Sequence, residues 1–219
     1  MGKRLFSIGT ALLLTVLQCG CWNRIELNEL SIVAATAVDI KKDGKWQISY
    51  QLVIPQAISG TTGISTNAAP VYVFSTEGES IRSAINNTSK ELSRKLYFPH
   101  NLMVVISEEA AKAGFAPIMD VYLRNPDSRE TVTVFLTHGR ARRILEQLVP
   151  MEKIPAGAVL HMVQNETKNG SSLRAMTVFQ VMQELLGPTH STGIPSLTMA
   201  GGGEKYDSLD AEDACRDEA

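Results

Sequence analysis

The chain has 219 residues, a formal net charge of −2 and a hydrophobic content of 44%, values that are typical of a globular protein with a buried core. Its basic residues are scattered among acidic ones, so the sequence has no basic stripe and nucleic-acid binding is excluded as a function. After Leu17, no apolar run is long enough to cross a membrane as a helix.

The first residues have the pattern of an export signal. Lys3 and Arg4 supply a positive start, and an apolar run from Leu5 to Leu17 follows. This run is too short to span a bilayer core of about 30 Å as a permanent helix. We therefore expect residues 1–20 to be a cleaved lipoprotein signal peptide.

The end of this leader offers two cysteines for lipid attachment. Gly20 precedes Cys21, and a small residue before the cysteine favours Cys21 as the acceptor. Cys19 is the competing candidate, and Gln18 stands where a Leu is usual, three residues before Cys21. An ordinary secretory signal that is cut nearby is the alternative. Acyl chains on Cys21 stabilise membrane attachment by about 0.8 kcal/mol per buried CH₂, and Cys215 is then left without a disulfide partner.

The mature chain begins with a short polar stretch, residues 21–29, which predicts a tether. Within it, Trp22 has an indole ring that prefers the lipid headgroup layer, although it is nearly as well explained as a generic tether residue. A β-hairpin is predicted next, because residues 31–40 are small and β-branched, residues 46–54 alternate strictly, and Lys42-Asp43-Gly44 supplies the turn. Residues 58–70 are rich in Gly, Ser, Thr and Asn and predict an exposed loop.

A strand at residues 71–75 is followed by a predicted helix. Thr76 and Glu79 have the spacing of a capping box, which predicts the start of that helix. One apolar face follows at helical spacing, formed by Ile81, Ala84, Ile85, Thr88 and Leu92.

The second half of the chain alternates between strands and helices. Residues 102–106 are continuously apolar and predict a strand buried on both faces. We expect Ser107 to cap the next helix and Gly114 to end it. The remaining predicted elements are a helix at 115–123, a strand at 131–136 and helices at 140–148, 156–163 and 177–186. This order predicts one α+β domain at residues 30–200, with a mixed, mainly antiparallel sheet and packed helices. Residues 201–219 are acidic and predict a disordered tail.

Several segments resemble one known protein family, and they do so in the family's own order. They are Cys21-Trp22-Asn23-Arg24-Ile25-Glu26-Leu27-Asn28-Glu29-Leu30, the block from His100 to Ala110 with Gly114-Phe115, the segments 123–127 and 137–146, and Gly193-Ile194-Pro195-Ser196-Leu197. Together they are similar to the N-terminal region of Ger(x)C proteins, the C subunits of GerA-type spore germinant receptors.

This resemblance implies a non-enzymatic lipoprotein subunit that works with two integral membrane subunits, A and B, in a receptor for small nutrients. It implies a location on the outer face of the spore inner membrane. Members of the family are about twice as long, and the acidic tail resembles nothing in them. The resemblance therefore implies a truncated or frameshifted product or a natural short form.

The sequence contains no convincing catalytic or metal-binding pattern. Its four histidines (His100, His138, His161 and His190) are widely separated, and none has a zinc-ligand spacing. We expect no metal and no cofactor. Glu108 and Glu109 are adjacent on a predicted helix, so they point in different directions and are better explained as a solvated helix start than as an acid/base pair.

A mixed-charge loop is the candidate partner interface. It contains Arg124, Asp127, Arg129 and Glu130, and the competing interpretation is a solvated turn after a proline. For the whole protein, a receptor subunit that acts through protein contacts is the first hypothesis. A solute-binding lipoprotein that captures a small nutrient directly is the second, and a cell-wall hydrolase is the third.

Overall fold

The computed structural model describes residues 2–4, 6, 9–10, 26, 29–59, 69–149, 152–170, 173–188 and 190–199. The chain divides into two compact units, which are Met1–Leu30 and Ser31–Ala219. In the first unit, the described residues near the N-terminus are helical, and the Thr10 hydroxyl donates a hydrogen bond to the Phe6 carbonyl oxygen at 3.0 Å. The described helices include none that is long and apolar enough to span a bilayer.

The second unit is built on one mixed sheet of eight strands. The strands are β1 (Leu30–Ile40), β2 (Trp46–Val53), β3 (Val71–Gly78), β4 (Lys95–Tyr97), β5 (Met103–Ser107), β6 (Thr133–Thr137), β7 (Met176–Thr177) and β8 (Ser196–Leu197). Their order is β3-β2-β1-β5-β6-β7, with β4 paired to β1 and β8 to β6. The longest ladders, β1–β2 and β2–β3, are antiparallel, whereas β1–β5, β5–β6 and β6–β8 are parallel. The predicted mixed, mainly antiparallel α+β class is confirmed.

Seven helices lie in the described part of the second unit. They are α1 (Pro55–Ser59), α2 (Ile81–Glu91), α3 (Glu108–Ala113), α4 (Phe115–Arg124), α5 (Arg142–Glu146), α6 (Pro155–Lys168) and α7 (Val178–Leu186). Residues of α2, α3, α4 and α7 belong to one apolar cluster, and residues of α5 and α6 belong to a second. The sheet therefore separates two helical layers.

The β1–β2 hairpin confirms the sequence prediction. Its antiparallel register pairs Ile40 with Trp46, and Gly44 turns the chain with φ 83°, a left-handed conformation that glycine adopts without steric cost. The alternating residues of β2 join the first cluster through Ile48 and its i+2 neighbours. The opposite face is covered as well, because Gln51 is fully buried and its Nε2 donates to the Leu145 carbonyl at 2.7 Å.

The predicted buried strand at 102–106 is confirmed from Met103 onward, whereas Leu102 precedes the strand and is exposed. All five residues of β5 are buried, and they alternate between the layers: Val104 and Ile106 pack in the first cluster, Met103 and Val105 in the second. Helices α3 and α4 then carry the chain back along the sheet to β6, which pairs with β5 in parallel. The predicted cap is present, since the Ser107 hydroxyl accepts a hydrogen bond from the Ala110 amide at 3.3 Å.

The predicted capping box at Thr76 and Glu79 is wrong. Strand β3 continues to Gly78 because Thr76 pairs with Ile48 of β2. Helix α2 is capped instead by Ser80, whose hydroxyl accepts a hydrogen bond from the Ser83 amide, while the Ser83 hydroxyl binds the Ser80 amide. A ladder to a neighbouring strand has therefore overridden a local capping pattern.

Other element bounds differ in detail. Helix α5 is shorter than the predicted 140–148, and α6 extends beyond the predicted 156–163. Helix α1 occupies Ile58 and Ser59, where a loop was predicted, and residues 60–68 of that loop lie outside the described residues. The predicted tail at 201–219 also lies outside them.

Candidate functional site

The ends of three parallel strands form a polar edge of the sheet. Strands β1, β5 and β6 run in the same direction, with Val38 beside Ile106 and Ser107 beside Thr137. Their carboxyl ends therefore meet at one edge, which is where open α/β sheets bind ligands. We call this edge, with Asp39, Ser107 and Thr137 at the strand ends, the carboxyl edge.

Asp39 is the central polar group of the carboxyl edge. Its carboxylate is 3% exposed and accepts hydrogen bonds from the backbone amides of Ala141 at 2.7 Å and Arg142 at 3.0 Å. Burial raises the pKa of Asp39, while those two amides, the Ser107 hydroxyl and the Arg140 charge act in the opposite direction. These hydrogen bonds link the end of β1 to the start of α5.

A glycine makes this contact possible. Gly139 has φ 122° and lies in the turn between β6 and α5, a conformation that side-chain-bearing residues rarely adopt. The chain reverses there and directs the Ala141 and Arg142 amides at Asp39. This turn belongs to the segment 137–146, which carries part of the family resemblance.

A surface network adjoins the carboxyl edge at the start of α3. Glu108 binds Lys112 at 2.6 Å and the His138 Nδ1 atom at 2.8 Å. The hydrogen bond from Lys112, followed by that from His138, lowers the pKa of the Glu108 carboxyl group. Glu109 is exposed beside it. The two carboxylates complement the start of a helix, as the sequence predicted.

An open pocket of about 360 Å³ lies against the carboxyl edge. Its walls carry both carboxylates and cationic side chains. The pocket is lined by Asp39, Ile40, Lys41, Lys42, Gln47, Glu109, Gly139 and Arg140. Lys41 is engaged by Glu77 at 2.9 Å. With both signs of charge and open access to solvent, the pocket is suited to reversible polar contacts with a ligand or a protein.

The predicted partner loop lies at the opposite edge of the sheet, between α4 and β6. Arg124 is exposed at the end of α4 and pairs with Asp120 at 2.5 Å. The Asp127 amide donates a hydrogen bond to Asn125 Oδ1 at 3.1 Å, which shapes the turn. Arg129 and Glu130 are exposed. The structure thus brings the four predicted residues onto one exposed loop, remote from the carboxyl edge, and their contact with a partner stays a prediction.

The four histidines are spread over the domain. His138 pairs with Glu108, His161 pairs with Glu152 at 2.7 Å, His100 lies beside the Tyr97 ring, and the His190 ring contacts the Leu185 carbonyl oxygen at 3.0 Å. Within the described ranges, no three His, Cys, Asp or Glu side chains are grouped so as to hold a metal ion.

The predicted lipid anchor cannot be placed in the fold. Cys21, its competitor Cys19 and the neighbouring Trp22 all lie outside the described residues. The acceptor assignment therefore remains a prediction from the leader sequence.

Sequence reasoning missed two buried acidic residues. Asp39 is the one charged residue of strand β1, and an isolated carboxylate in a mostly apolar run is a signal for a buried polar contact. Glu146 is 4% exposed and pairs with Arg142 one helical turn earlier. That pair has the i,i+4 spacing of many exposed helix pairs, so its burial has no local signal.

Comparison with known proteins gives one family. The sequence model described as "Spore germination protein N-terminal domain" matches residues 23–199. No solved structure matches the chain.

Curated relatives carry related names. The chain is 35% identical over 71% of its length to "Putative spore germination protein YfkR" of Bacillus subtilis (strain 168), covering 41% of that protein. It is 30% identical over 91% of its length to "Spore germination protein KC" of the same organism, covering 50% of it. It is 24% identical over 78% of its length to "Spore germination protein A3", covering 45% of it. The chain therefore spans about half the length of these relatives.

Proposed function

Because the chain belongs to the Ger(x)C family of spore germination proteins, we propose that it is a lipid-anchored, non-enzymatic C subunit of a nutrient germinant receptor, needed for spore germination. The observation that carries this proposal is the family match, which begins at residue 23. Cys21 lies two positions earlier, directly after the apolar leader. A lipid acceptor in that position joins the family domain to the membrane with no intervening domain.

The anchor sets the location of the domain. Acylated Cys21 holds the protein on the outer face of the spore inner membrane, and residues 21–29 form the tether to the sheet. Several acyl chains on one cysteine give durable attachment, since each buried CH₂ contributes about 0.8 kcal/mol.

The domain then acts through contacts with the integral membrane A and B subunits. The exposed loop with Arg124, Asp127, Arg129 and Glu130 supports this part of the proposal. Both signs of charge are present in a short stretch, an arrangement that gives specificity to a protein contact more than affinity.

Two matched cysteine variants test the proposal in spores. We expect Cys21→Ala to abolish incorporation of a palmitate analogue, to release the protein from the membrane fraction and to slow nutrient-triggered germination. Cys19→Ala, the control, should keep all three properties. Loss of label in Cys19→Ala alone would move the acceptor to Cys19, and attachment of both variants would contradict lipid anchoring.

Affinity purification from detergent-solubilised spore membranes tests the partner claim. The wild-type protein should bring down the A and B subunits. Recovery of an intact, labelled protein without either subunit would refute a role through membrane-subunit contacts, even if the anchor is correct.

A further inference from the structure

The pocket at the carboxyl edge, with its volume of about 360 Å³, receives walls from both helical layers. Glu109 lies on α3, whose next residue, Ala110, packs in the first apolar cluster. Arg140 lies in the turn before α5, and the residue after it, Ala141, packs in the second cluster. Glu109 and Arg140 therefore reach the pocket from opposite faces of the sheet, while Lys42 reaches it from the β1–β2 turn.

Two short contacts hold these walls in place. The Glu108 carboxylate contacts the imidazole of His138, in the turn between β6 and α5, at 2.8 Å. The Ala141 amide donates a hydrogen bond to the Asp39 carboxylate at 2.7 Å. Both contacts are made by direct sequence neighbours of pocket residues, so α3, the β6–α5 turn and the end of β1 form one connected frame around the opening.

Part of the charge in the pocket is already balanced within the domain. Both carboxylate oxygens of Asp39 accept backbone amide hydrogen bonds. The Lys41 ammonium group binds both oxygens of Glu77, at 2.9 and 3.1 Å, and Gln47 donates to the same carboxylate at 3.3 Å. These side chains build the walls and are not open to a ligand's charge.

Three charged side chains at the opening are left without such partners. Lys42, Arg140 and Glu109 are all exposed, and none of them forms an ion pair or a side-chain hydrogen bond with the residues that the structure describes. They also form no ion pair with one another across the pocket. The opening therefore presents two cationic groups to an anion and one carboxylate to a cation, with space between them.

We propose that this pocket binds a small zwitterion whose carboxylate and ammonium groups lie at opposite ends of a short aliphatic chain. The carboxylate pairs with Arg140, whose planar guanidinium presents paired donors, and with Lys42. The ammonium group donates to Glu109. The pocket volume falls in the range of about 300–1,000 Å³ that is usual for small-molecule sites. This assignment goes beyond the receptor-subunit proposal and does not depend on Cys21 or on the membrane subunits.

Saturation-transfer NMR of the full chain in detergent micelles, with γ-aminobutyrate as the probe, tests the site. For a ligand of this size we expect a Kd on the order of millimolar. Butylamine has the same chain without the carboxylate and should bind about tenfold more weakly. Butyrate lacks the ammonium group and should bind about fivefold more weakly, since an exposed ion pair contributes less. Empty micelles give the background signal.

Variants of the two opposing walls complete the test. Arg140→Gln should weaken γ-aminobutyrate binding about tenfold. Glu109→Gln should weaken it about fivefold but should bind butyrate at least as well as the wild type does, a pattern that a general loss of structure would not give. Arg94→Gln and Glu91→Gln are the matched controls, because both residues are exposed and neither lines the pocket.

Three results would overturn the proposal. The first is equal binding of γ-aminobutyrate and butyrate by the wild type. The second is binding of γ-aminobutyrate by Arg140→Gln or Glu109→Gln that equals binding by the matched control. The third is a signal no larger than that of empty micelles.

Discussion

Replacing Asp39 by alanine tests whether the carboxyl edge stabilises the fold. The Asp39 carboxylate is the acceptor for the amides of Ala141 and Arg142. Each amide left without a partner costs about 1–3 kcal/mol, and release of the buried charge offsets part of that cost. We expect Asp39→Ala to lower the free energy of unfolding by about 2 kcal/mol, which for a domain of this size lowers Tm by about 4–8 °C.

The pH dependence of this effect has a definite sign. Burial raises the pKa of Asp39 above 3.8, so the folded protein binds this proton more tightly than the unfolded chain does. The stability that protonated Asp39 contributes is fully present below 3.8 and is lost as the pH rises through the raised pKa. The advantage of the wild type over Asp39→Ala should therefore be largest in acid and smaller at neutral pH.

Urea denaturation of both proteins, repeated across this pH range and followed by circular dichroism, measures both quantities. Asp39→Asn is the control, since it keeps one acceptor oxygen and should lose less stability than Asp39→Ala while showing the same loss of pH dependence. An unchanged unfolding free energy in Asp39→Ala would refute the capping argument. A gap between wild type and Asp39→Ala that grows with rising pH would refute the burial argument.

Two further predictions concern residues that precede helices, Gly78 before α2 and Thr177 before α7. A Cβ atom at Gly78 would lie 2.3 Å from Ser83 Oγ and 2.4 Å from the Ala84 nitrogen, so Gly78→Ala should displace α2 and lower the free energy of unfolding by about 2 kcal/mol. Gly193→Ala is the control, because a Cβ atom there has nothing within 4 Å. Equal Tm values for the two variants would contradict the predicted clash. The Thr177 hydroxyl accepts a hydrogen bond from the Gln180 amide at 3.3 Å and so caps α7. Thr177→Ala should therefore lower the free energy of unfolding by about 1 kcal/mol, measured by thermal melts. An unchanged melting curve would show that this cap is not stabilising.

Local patterns account for the elements that the sequence predicted best. The hairpin follows from alternation in β2 and from a turn at Gly44, and the burial of β5 follows from a continuous apolar run. Both signals lie within a few neighbouring residues. Both elements can therefore be predicted without knowing which strands pair across long stretches of sequence.

The errors arise where distant parts of the chain decide the structure. Thr76 has the local pattern of an N-cap, but its ladder with Ile48 keeps it in β3. Strands β4, β7 and β8 have only two or three residues each, too few for a periodic signal. The candidate site shows the same contrast between local and distant information. The exposure of Arg129 and Glu130 can be predicted from local polarity. The hydrogen-bond partners of Asp39 cannot, because they are about a hundred residues away in sequence.

The parallel pairing of β1 with β5 has a consequence for synthesis of the protein. Strands β1, β2 and β3 pair with sequence neighbours, so this sheet fragment can form as soon as they leave the ribosome. Strand β1 gains its remaining partners only when β4, from Lys95, and β5, from Met103, have been made. At about 5–20 residues per second, β5 follows β3 after about 1–5 s. During that interval an apolar strand with unpaired amides is open to other chains. Slow elongation between β3 and β5 should therefore promote aggregation, whereas slow elongation after β6 should not.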